Sequence, residues 1–437
     1  MRAIGIVLAG GNSSRMKELS NKRAVAAMPI AGGYRSIDFV LSNMSNSHIQ
    51  KVAVFTQYNA KSLNEHLNSS KWWDFGRKQG GLYVFTPTTT PENSYWYRGT
   101  ADAIAQNLDF LKSSHEPYVV IASGDGVYKM DYAKVLEYHI AKKADITIVT
   151  STVDERDDPS RFGVINTDAD GRVTDFEEKP ITTDGRQVST GIYIIRRRQL
   201  IELIEKAAEE ERHDFVTDIL IRYKNVKKIY AYKMDTYWSN IASVDSYYNT
   251  NMDFLKKDVR DYFFRQYPDI YSKVEDLPPV KYNLGSNVKN SLVSSGCIIN
   301  GSVENSILFK KVYVGNNCTI KNSIILNDVY IEAKMCSLFP GSIKKGILVN
   351  RRRNVEWIPP LKELLEGNPD PVSVFLKVLV QYALRGYVNS WNMESCEMLD
   401  TLNEVKQFVD LSVTADSDLI RYQATNQILL KMWKYFR

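Results

Sequence analysis

Residues 3–29 read AIGIVLAGGNSSRMKELSNKRAVAAMP. A short apolar run ends on Gly10-Gly11. That pattern predicts a buried first strand and a tight turn, not a signal peptide. Glycine permits close approach, so the turn leaves backbone N–H groups room to face an anion. The stretch is not G-x-G-x-x-G, and no acidic residue stands at a dinucleotide position. It is not a Walker loop either, because G-K-[ST] is missing. Phosphate loops usually lead to a lysine that meets the phosphates. Here the chain offers Lys22-Arg23 and then goes flat through Ala24-Val25-Ala26-Ala27. The stretch therefore raises two readings, a chain that handles nucleotide phosphates and one that keeps only the shape.

Outward from this strand, short apolar runs alternate with helical spacing over the first 250 residues. Strands are expected at 3–9, 51–56, 117–122, 145–151 and 191–195, with helices at 100–113, 131–142 and 197–209. Strand, helix, strand in this order predicts an α/β fold with a parallel sheet covered on both faces. Ligands in such sheets bind at the carboxyl ends of the strands. Two loops fall there, Gly10 to Arg15 and Ser123-Gly124-Asp125-Gly126.

Residues 284–335 change character. Val288, Val293, Ile298, Val303, Ile307, Val312, Val314, Ile320, Ile324, Val329 and Ile331 recur in short steps with Asn, Gly and Ser between them. This is the pattern of a hexapeptide repeat and a parallel β-helix, with a run of antiparallel strands as the alternative. Beyond the loop-like 359–371, apolar residues return every three or four positions. The stripes are Phe375, Val378 and Tyr382, then Met398, Leu402, Val405 and Val409, then Ala424, Ile428, Met432 and Phe436. They predict amphipathic helices in a tail over 360–437.

The net charge of +5, from 56 basic and 51 acidic residues, is too weak for a nucleic-acid face and supplies no polybasic run for a membrane. No run approaches the roughly 18 apolar residues of a spanning helix. Cys297, Cys318, Cys336 and Cys396 show no C-x-x-C spacing and no paired His, so they read as free thiols in a reducing cytoplasm. No Ser or Cys nucleophile is placed near a His as a hydrolytic triad requires. Asp125, a carboxylate between two glycines at a strand end, can bind Mg²⁺ beside a phosphate, or simply form the turn. Lys179, before a proline, can meet a sugar phosphate as a point charge. His213-Asp214-Phe215 reads as a helix N-terminus.

In order, the motifs LAGGNSSRM, NKRA, SIDFVLSN, TQY, WYRGTADA, SGDGVYKMDY, FGV, FEEKP, TGIY, HDF and YWSNIASVDSYY resemble the bacterial ADP-glucose pyrophosphorylases, or glucose-1-phosphate adenylyltransferases. The resemblance covers roughly residues 1–336. It implies a Rossmann-like nucleotidyltransferase domain over 1–255, then a linker and left-handed parallel β-helix over 256–340. The helical C-terminal tail at 360–437 lies outside it and has no assigned role. The implied activity makes ADP-glucose and pyrophosphate from ATP and glucose 1-phosphate, for glycogen biosynthesis. Carried over position by position, Gly10, Gly11 and Arg15 lie at the ATP phosphates. Gln57 helps hold adenine, and Gly99, Thr100 and Asp102 line the nucleotide pocket. Asp125 binds Mg²⁺. Lys179 meets the phosphate of glucose 1-phosphate, with Glu178, Gly191 and Tyr193 near the sugar. Arg15, Asp125 and Lys179 are the catalytic set.

Three departures touch one task. The family reads G-x-G-T-R where this chain has Asn12-Ser13-Ser14-Arg15 after Gly11. It reads R-A-K-P-A where this chain has Arg23-Ala24-Val25-Ala26-Ala27. It reads D-V-G where this chain has Asn240-Ile241-Ala242, so the second metal position is the amide of Asn240. Each change weakens charge neutralisation at the transferring phosphoryl group, where one missing group commonly costs on the order of 10² to 10³ in rate. This is the pattern of the family's GlgD-type subunit, a regulatory chain that pairs with a catalytic GlgC-type subunit in a hetero-oligomer. Two other readings stay open at this point. One is a competent enzyme in which Lys22 or Arg23 covers for position 25. The other is a nucleotide-sugar sensor or scaffold working through the tail.

Overall fold

The expected apolar runs become strands whose residues are buried on both faces. The structure, a computed structural model, describes residues 2–76, 80–88, 95–153, 159–181, 183 and 185–331, with the backbone of 346–351 and 354–358. The helices expected at 360–437, and Cys336 and Cys396, lie outside the described residues. Main-sheet strands are β1 (Ala3–Leu8), β2 (Lys51–Phe55), β3 (Gly81–Phe85), β4 (Tyr118–Ser123), β5 (Ile146–Thr152), β6 (Gly163–Thr167), β7 (Val173–Glu178), β8 (Gln187–Arg196) and β9 (Ile229–Lys233). They form one sheet in the order β7-β6-β8-β4-β1-β2-β3, with β5 also paired to β8 and β9 paired to β5.

The sheet is mixed, which corrects the expectation of a parallel one. Strands β1, β2, β3 and β4 are parallel, as are β5 and β9. Strand β8 runs antiparallel to both β4 and β5 and separates them. The cause is local. Among the described residues no α-helix intervenes between β5 and β8, and strands without a helical crossover turn back on themselves. Helices cover both faces. On one, Ile37, Val40, Leu41 and Met44 of the Ser36–Asn46 helix pack on Val7, Val52, Val54 and Val120. On the other, Leu200, Leu203 and Ile204 of the Arg197–Glu209 helix join Ile4, Ile6, Ile121 and Ile148. Burial on both faces explains why these strands read as continuous apolar runs. The helix expected over 100–113 is two, Thr100–Ala105 and Leu108–Lys112, divided where Asn107 Nδ2 donates back to the Ala103 carbonyl at 2.9 Å.

The chain divides into two compact units. The first is residues 1–279 with 290–295. Segment 269–272 is laced to it, since Ser42 Oγ and Trp73 Nε1 both donate to the Tyr271 carbonyl, at 3.2 Å each.

In the second unit, parallel strands stack as a β-helix. Lys281–Tyr282, Ile298–Ile299, Tyr313–Val314 and Tyr330–Ile331 form one face. Asn287–Lys289, Ser302–Glu304 and Thr319–Lys321 form a second, and Ile307–Leu308, Ser323–Ile325 and Gly346–Arg351 a third. Equivalent positions recur at 15 residues (Ile299 to Val314) and 17 (Val314 to Ile331). Several corner residues have left-handed φ, among them Asn305, Asn317, Asn322 and Asp328. Asn and Asp tolerate that conformation best after glycine, which explains the Asn-rich punctuation. Of the repeat residues, Val303, Ile307, Val312, Val314, Ile320, Ile324, Val329 and Ile331 are buried. Ile298 is the correction, at 37% exposed, with Cys297 and Ile299 buried on either side of it. Cys297 and Cys318 are buried free thiols. Truncating the buried Ile320 to Ala is expected to cost about 2–5 kcal/mol in urea unfolding, and the same change at Ile298 well under half of that.

Candidate functional site

Strand register builds the site. In the parallel pair β1 and β4, Leu8 is the partner of Ser123, so the loops that follow leave the sheet side by side. Gly124 N donates to the Leu8 carbonyl at 2.9 Å. A Cβ on Gly124 would sit 3.1 Å from Ala26 Cβ and 3.2 Å from Ala9 Cβ. This glycine lets the Asp125 loop, the glycine loop and the 25–27 turn close on one another. A Cβ on Gly10 would likewise lie 3.2 Å from Gln57 Cβ, while Gly11 faces open space.

The SIDFVLSN motif, to which the sequence reading assigns no role, braces the loop from beneath. Ser36 Oγ donates to the Gly124 carbonyl at 3.1 Å. Asn43 takes an N–H from Met130 and donates to the Tyr128 carbonyl, both at 3.1 Å. Fully buried Asp38 accepts from the Arg35 N–H at 2.8 Å and pairs with His66 Nε2 at 2.6 Å. Ser36 and Asn43, seven residues apart and so on one face of the helix, were the signal available in the sequence.

Asp125 is half-buried, and its Oδ1 accepts from Ser123 Oγ at 2.5 Å. Asn240 is brought beside it, because Trp238–Asn240 pairs antiparallel with Gly126–Tyr128 and Asn240 is the partner of Gly126. Asn240 Oδ1, however, already accepts from the Ala242 N–H at 2.9 Å. Val25 is buried, at 6% exposed, in a short turn with no cation. Arg15 and Lys22 are exposed. Arg23 is half-buried beside Tyr247 and Arg35, and burial lowers the pKa of both guanidinium groups. Asn240 and the turn that holds Val25 therefore both adjoin the Asp125 loop, and Ser13 Oγ bonds the Ala242 carbonyl two residues from Asn240. As a magnesium site, the residues present offer one carboxylate with Oδ2 outside the described hydrogen bonds, and one amide oxygen that is committed. No group of three acidic, His or Cys side chains able to hold a metal occurs among the described residues. The set fits an ion shared between Asp125 and a ligand's own phosphates. It does not fit a protein cage.

The remaining predicted residues divide into two clusters. Gln57 clamps a neighbouring segment, its Oε1 accepting from the Tyr97 N–H at 2.8 Å and its Nε2 donating to the Tyr97 carbonyl at 3.3 Å. Asp102 is buried and accepts from the Arg98 N–H and from Gln106 Nε2, both at 2.8 Å. A Cβ on Gly99 would fall 2.3 Å from the His213 carbonyl, which also accepts from the Ala101 N–H at 2.8 Å. Thr100 Oγ1 accepts from the Phe215 N–H at 2.8 Å. Asp214 accepts from the N–H groups of Val216 and Thr217, so His213-Asp214-Phe215 does start a helical segment.

On the other side, Gly191 has φ 75° at a bulge in β8, and a Cβ there would meet Ser123 Cβ at 3.1 Å. Only a residue at ease with positive φ places β8 this close to the Asp125 loop. Tyr193 is buried against Phe215 at 5.4 Å between ring centroids, with its hydroxyl 3.2 Å from Ser189 Oγ. Burial raises its pKa, as do the nearby charges of Glu178 and Asp214. Lys179, 60% exposed, pairs with Glu178 at 2.9 Å. An exposed pair of this kind holds its partner weakly, which leaves the ammonium group able to move to a phosphate.

The nucleotidyl transferase family model matches residues 4–257, and the GlmU-like C-terminal hexapeptide model matches 280–355. The chain is 41% identical over 320 residues to a glucose-1-phosphate adenylyltransferase of Clostridium acetobutylicum, covering 72% of this chain and 84% of the relative. It is 39% identical over 322 residues to one of Bacillus subtilis, covering 73% and 84%. A third, from Clostridium perfringens strain 13, is 39% identical over 332 residues, covering 75% and 84%. With a nucleotidyl transferase domain, hexapeptide β-strands and relatives matched across most of their length, the chain belongs to the glucose-1-phosphate adenylyltransferase, or ADP-glucose pyrophosphorylase, family.

Proposed function

We propose that this chain is a subunit of a glucose-1-phosphate adenylyltransferase that binds ATP and glucose 1-phosphate, or ADP-glucose, and performs little adenylyl transfer alone. It works beside a catalytic GlgC-type subunit in a hetero-oligomer of the cytoplasm. The observation that carries this reading is that the Asp125 loop has Asn240 at its side, paired with Gly126, and the turn that holds the buried Val25 packed on Gly124 through Ala26.

The reaction is in-line attack of a sugar phosphate on the ATP α-phosphorus. It needs charge neutralisation and alignment more than any covalent group. Arg15 and the Gly10-Gly11 N–H groups face the ATP phosphates, and Lys179 takes the phosphate of glucose 1-phosphate. Asp125 would hold Mg²⁺ together with the nucleotide, and the ion would supply charge neutralisation at the phosphates. Gln57, Gly99, Thr100 and Asp102 shape the nucleotide pocket through the backbone they fix. Glu178, Gly191 and Tyr193 shape the sugar side. The lysine and the second carboxylate are what is missing. At 10² to 10³ per lost group, two losses remove about four to six orders of magnitude in rate. A second reading rests on Lys22, which is exposed and would take the place of the missing lysine at the leaving pyrophosphate.

The purified chain with ATP, glucose 1-phosphate and Mg²⁺ is expected to release pyrophosphate at less than about a thousandth of an ordinary family rate. Val25→Lys with Asn240→Asp is expected to raise that rate by at least about tenfold. Ordinary turnover in the wild type that is abolished by Lys22→Ala would instead establish the second reading. In calorimetric titrations, Asp125→Asn is expected to remove the Mg²⁺-dependent part of ATP affinity and leave binding in EDTA unchanged.

A further inference from the structure

Position 13, a glycine in the family pattern, carries a hydroxyl here, and that hydroxyl is used. Ser13 Oγ donates to the Ala242 carbonyl at 2.5 Å, joining segments 229 residues apart. Ala242 is itself at a glycine position of the pattern, and its N–H is the group that occupies Asn240 Oδ1. Both ends of the contact are braced. Ser13 O accepts from the Met16 N–H at 3.0 Å and from Ser20 Oγ at 3.3 Å, and Met16 is fully buried. Next to Ala242, Ser243 caps the Val244–Asp253 helix with Ser246 and holds Arg161 at 2.9 Å.

We propose that Ser13 is a latch which fastens the glycine loop to the 240–243 turn and so limits access of nucleotide phosphates to the Asp125 loop. This inference rests on the nucleotide site proposed above. A hydrogen bond at this distance leaves no space for a phosphate, or even a water, between the two segments. The Ala242 carbonyl also presents the negative end of a dipole toward that space. Ligand entry must therefore break the Ser13 bond, and a glycine at 13 has no such bond to break. Through Ala242, the same chain of contacts keeps the Asn240 amide oxygen turned to the backbone. Restoring charge at 25 and 240 alone leaves the loop fastened.

The test is binding of ATP with Mg²⁺ to the full chain by calorimetry, for wild type, Ser13→Gly, Ser13→Ala and the control Ser113→Ala, an exposed serine at the end of the Leu108–Lys112 helix. A side-chain bond to a backbone carbonyl is of a size that corresponds to about two- to tenfold in affinity. Ser13→Gly and Ser13→Ala are each expected to tighten ATP by that factor, and Ser113→Ala to leave it unchanged. Amide hydrogen exchange at 10–14 and 241–243 is expected to quicken in both Ser13 variants. Equal affinity in wild type and both Ser13 variants would overturn the latch while leaving the nucleotide site standing. Weaker binding in Ser13→Ala would overturn it by making Ser13 a ligand of the phosphates. No ATP binding by any variant would overturn the nucleotide site and the latch with it.

Discussion

The structure of the site depends on one pairing, Leu8 with Ser123 in adjacent parallel strands. Parallel strands point their carboxyl ends the same way, so this register delivers the glycine loop and the Asp125 loop to the same edge. Gly124, where any Cβ would lie closer to Ala9 and Ala26 than ordinary van der Waals contact, then admits the turn that holds Val25. The pairing of Gly126 with Asn240 brings in the last segment. Register and close glycine packing thus bring these four segments to one edge of the sheet.

What has changed is the charge carried on that scaffold. A lysine position is a buried valine, and a carboxylate position is an amide that serves its own turn. Stability does not require those charges. Burying an unpaired cation or carboxylate is costly, so losing one leaves a fold at least as stable. A subunit can therefore lose catalytic charge without losing its fold. The Ser13–Ala242 contact adds to this, since it joins two loops that substrate phosphates would otherwise bridge.

The central strands were legible because burial on both faces makes them unbroken apolar runs, as in AIGIVL and YVVIAS. Strands β3, β6, β7 and β9 were not. At the margins of the sheet, GLYVF, VTDFEE and IYAYK have partly exposed positions and carry no clear period. The antiparallel course of β8 was hidden for a related reason, because direction follows from connections rather than composition. In the β-helix the inward residues were legible, but Ile298 was not separable from Ile299 by hydropathy alone. At the site, residue types and their order pointed to two loops that the strand register brings to one edge of the sheet. Sequence could not show that Gln57 and Asp102 are engaged with backbone, or that Ser13 reaches Ala242, because these are contacts across 40 to 229 residues or within one turn's geometry.

The most direct measurement of whether this scaffold still performs chemistry is exchange of labelled pyrophosphate into ATP by the lone chain, with Mg²⁺ and glucose 1-phosphate present. Exchange reports the transfer step in both directions and is insensitive to slow release of ADP-glucose. The expected result is label incorporation at the level of the protein-free control. Incorporation at an ordinary enzymatic rate, about 1 to 10³ per second, would contradict the account, because it would mean that the charge lost at Val25 and Asn240 is supplied from elsewhere.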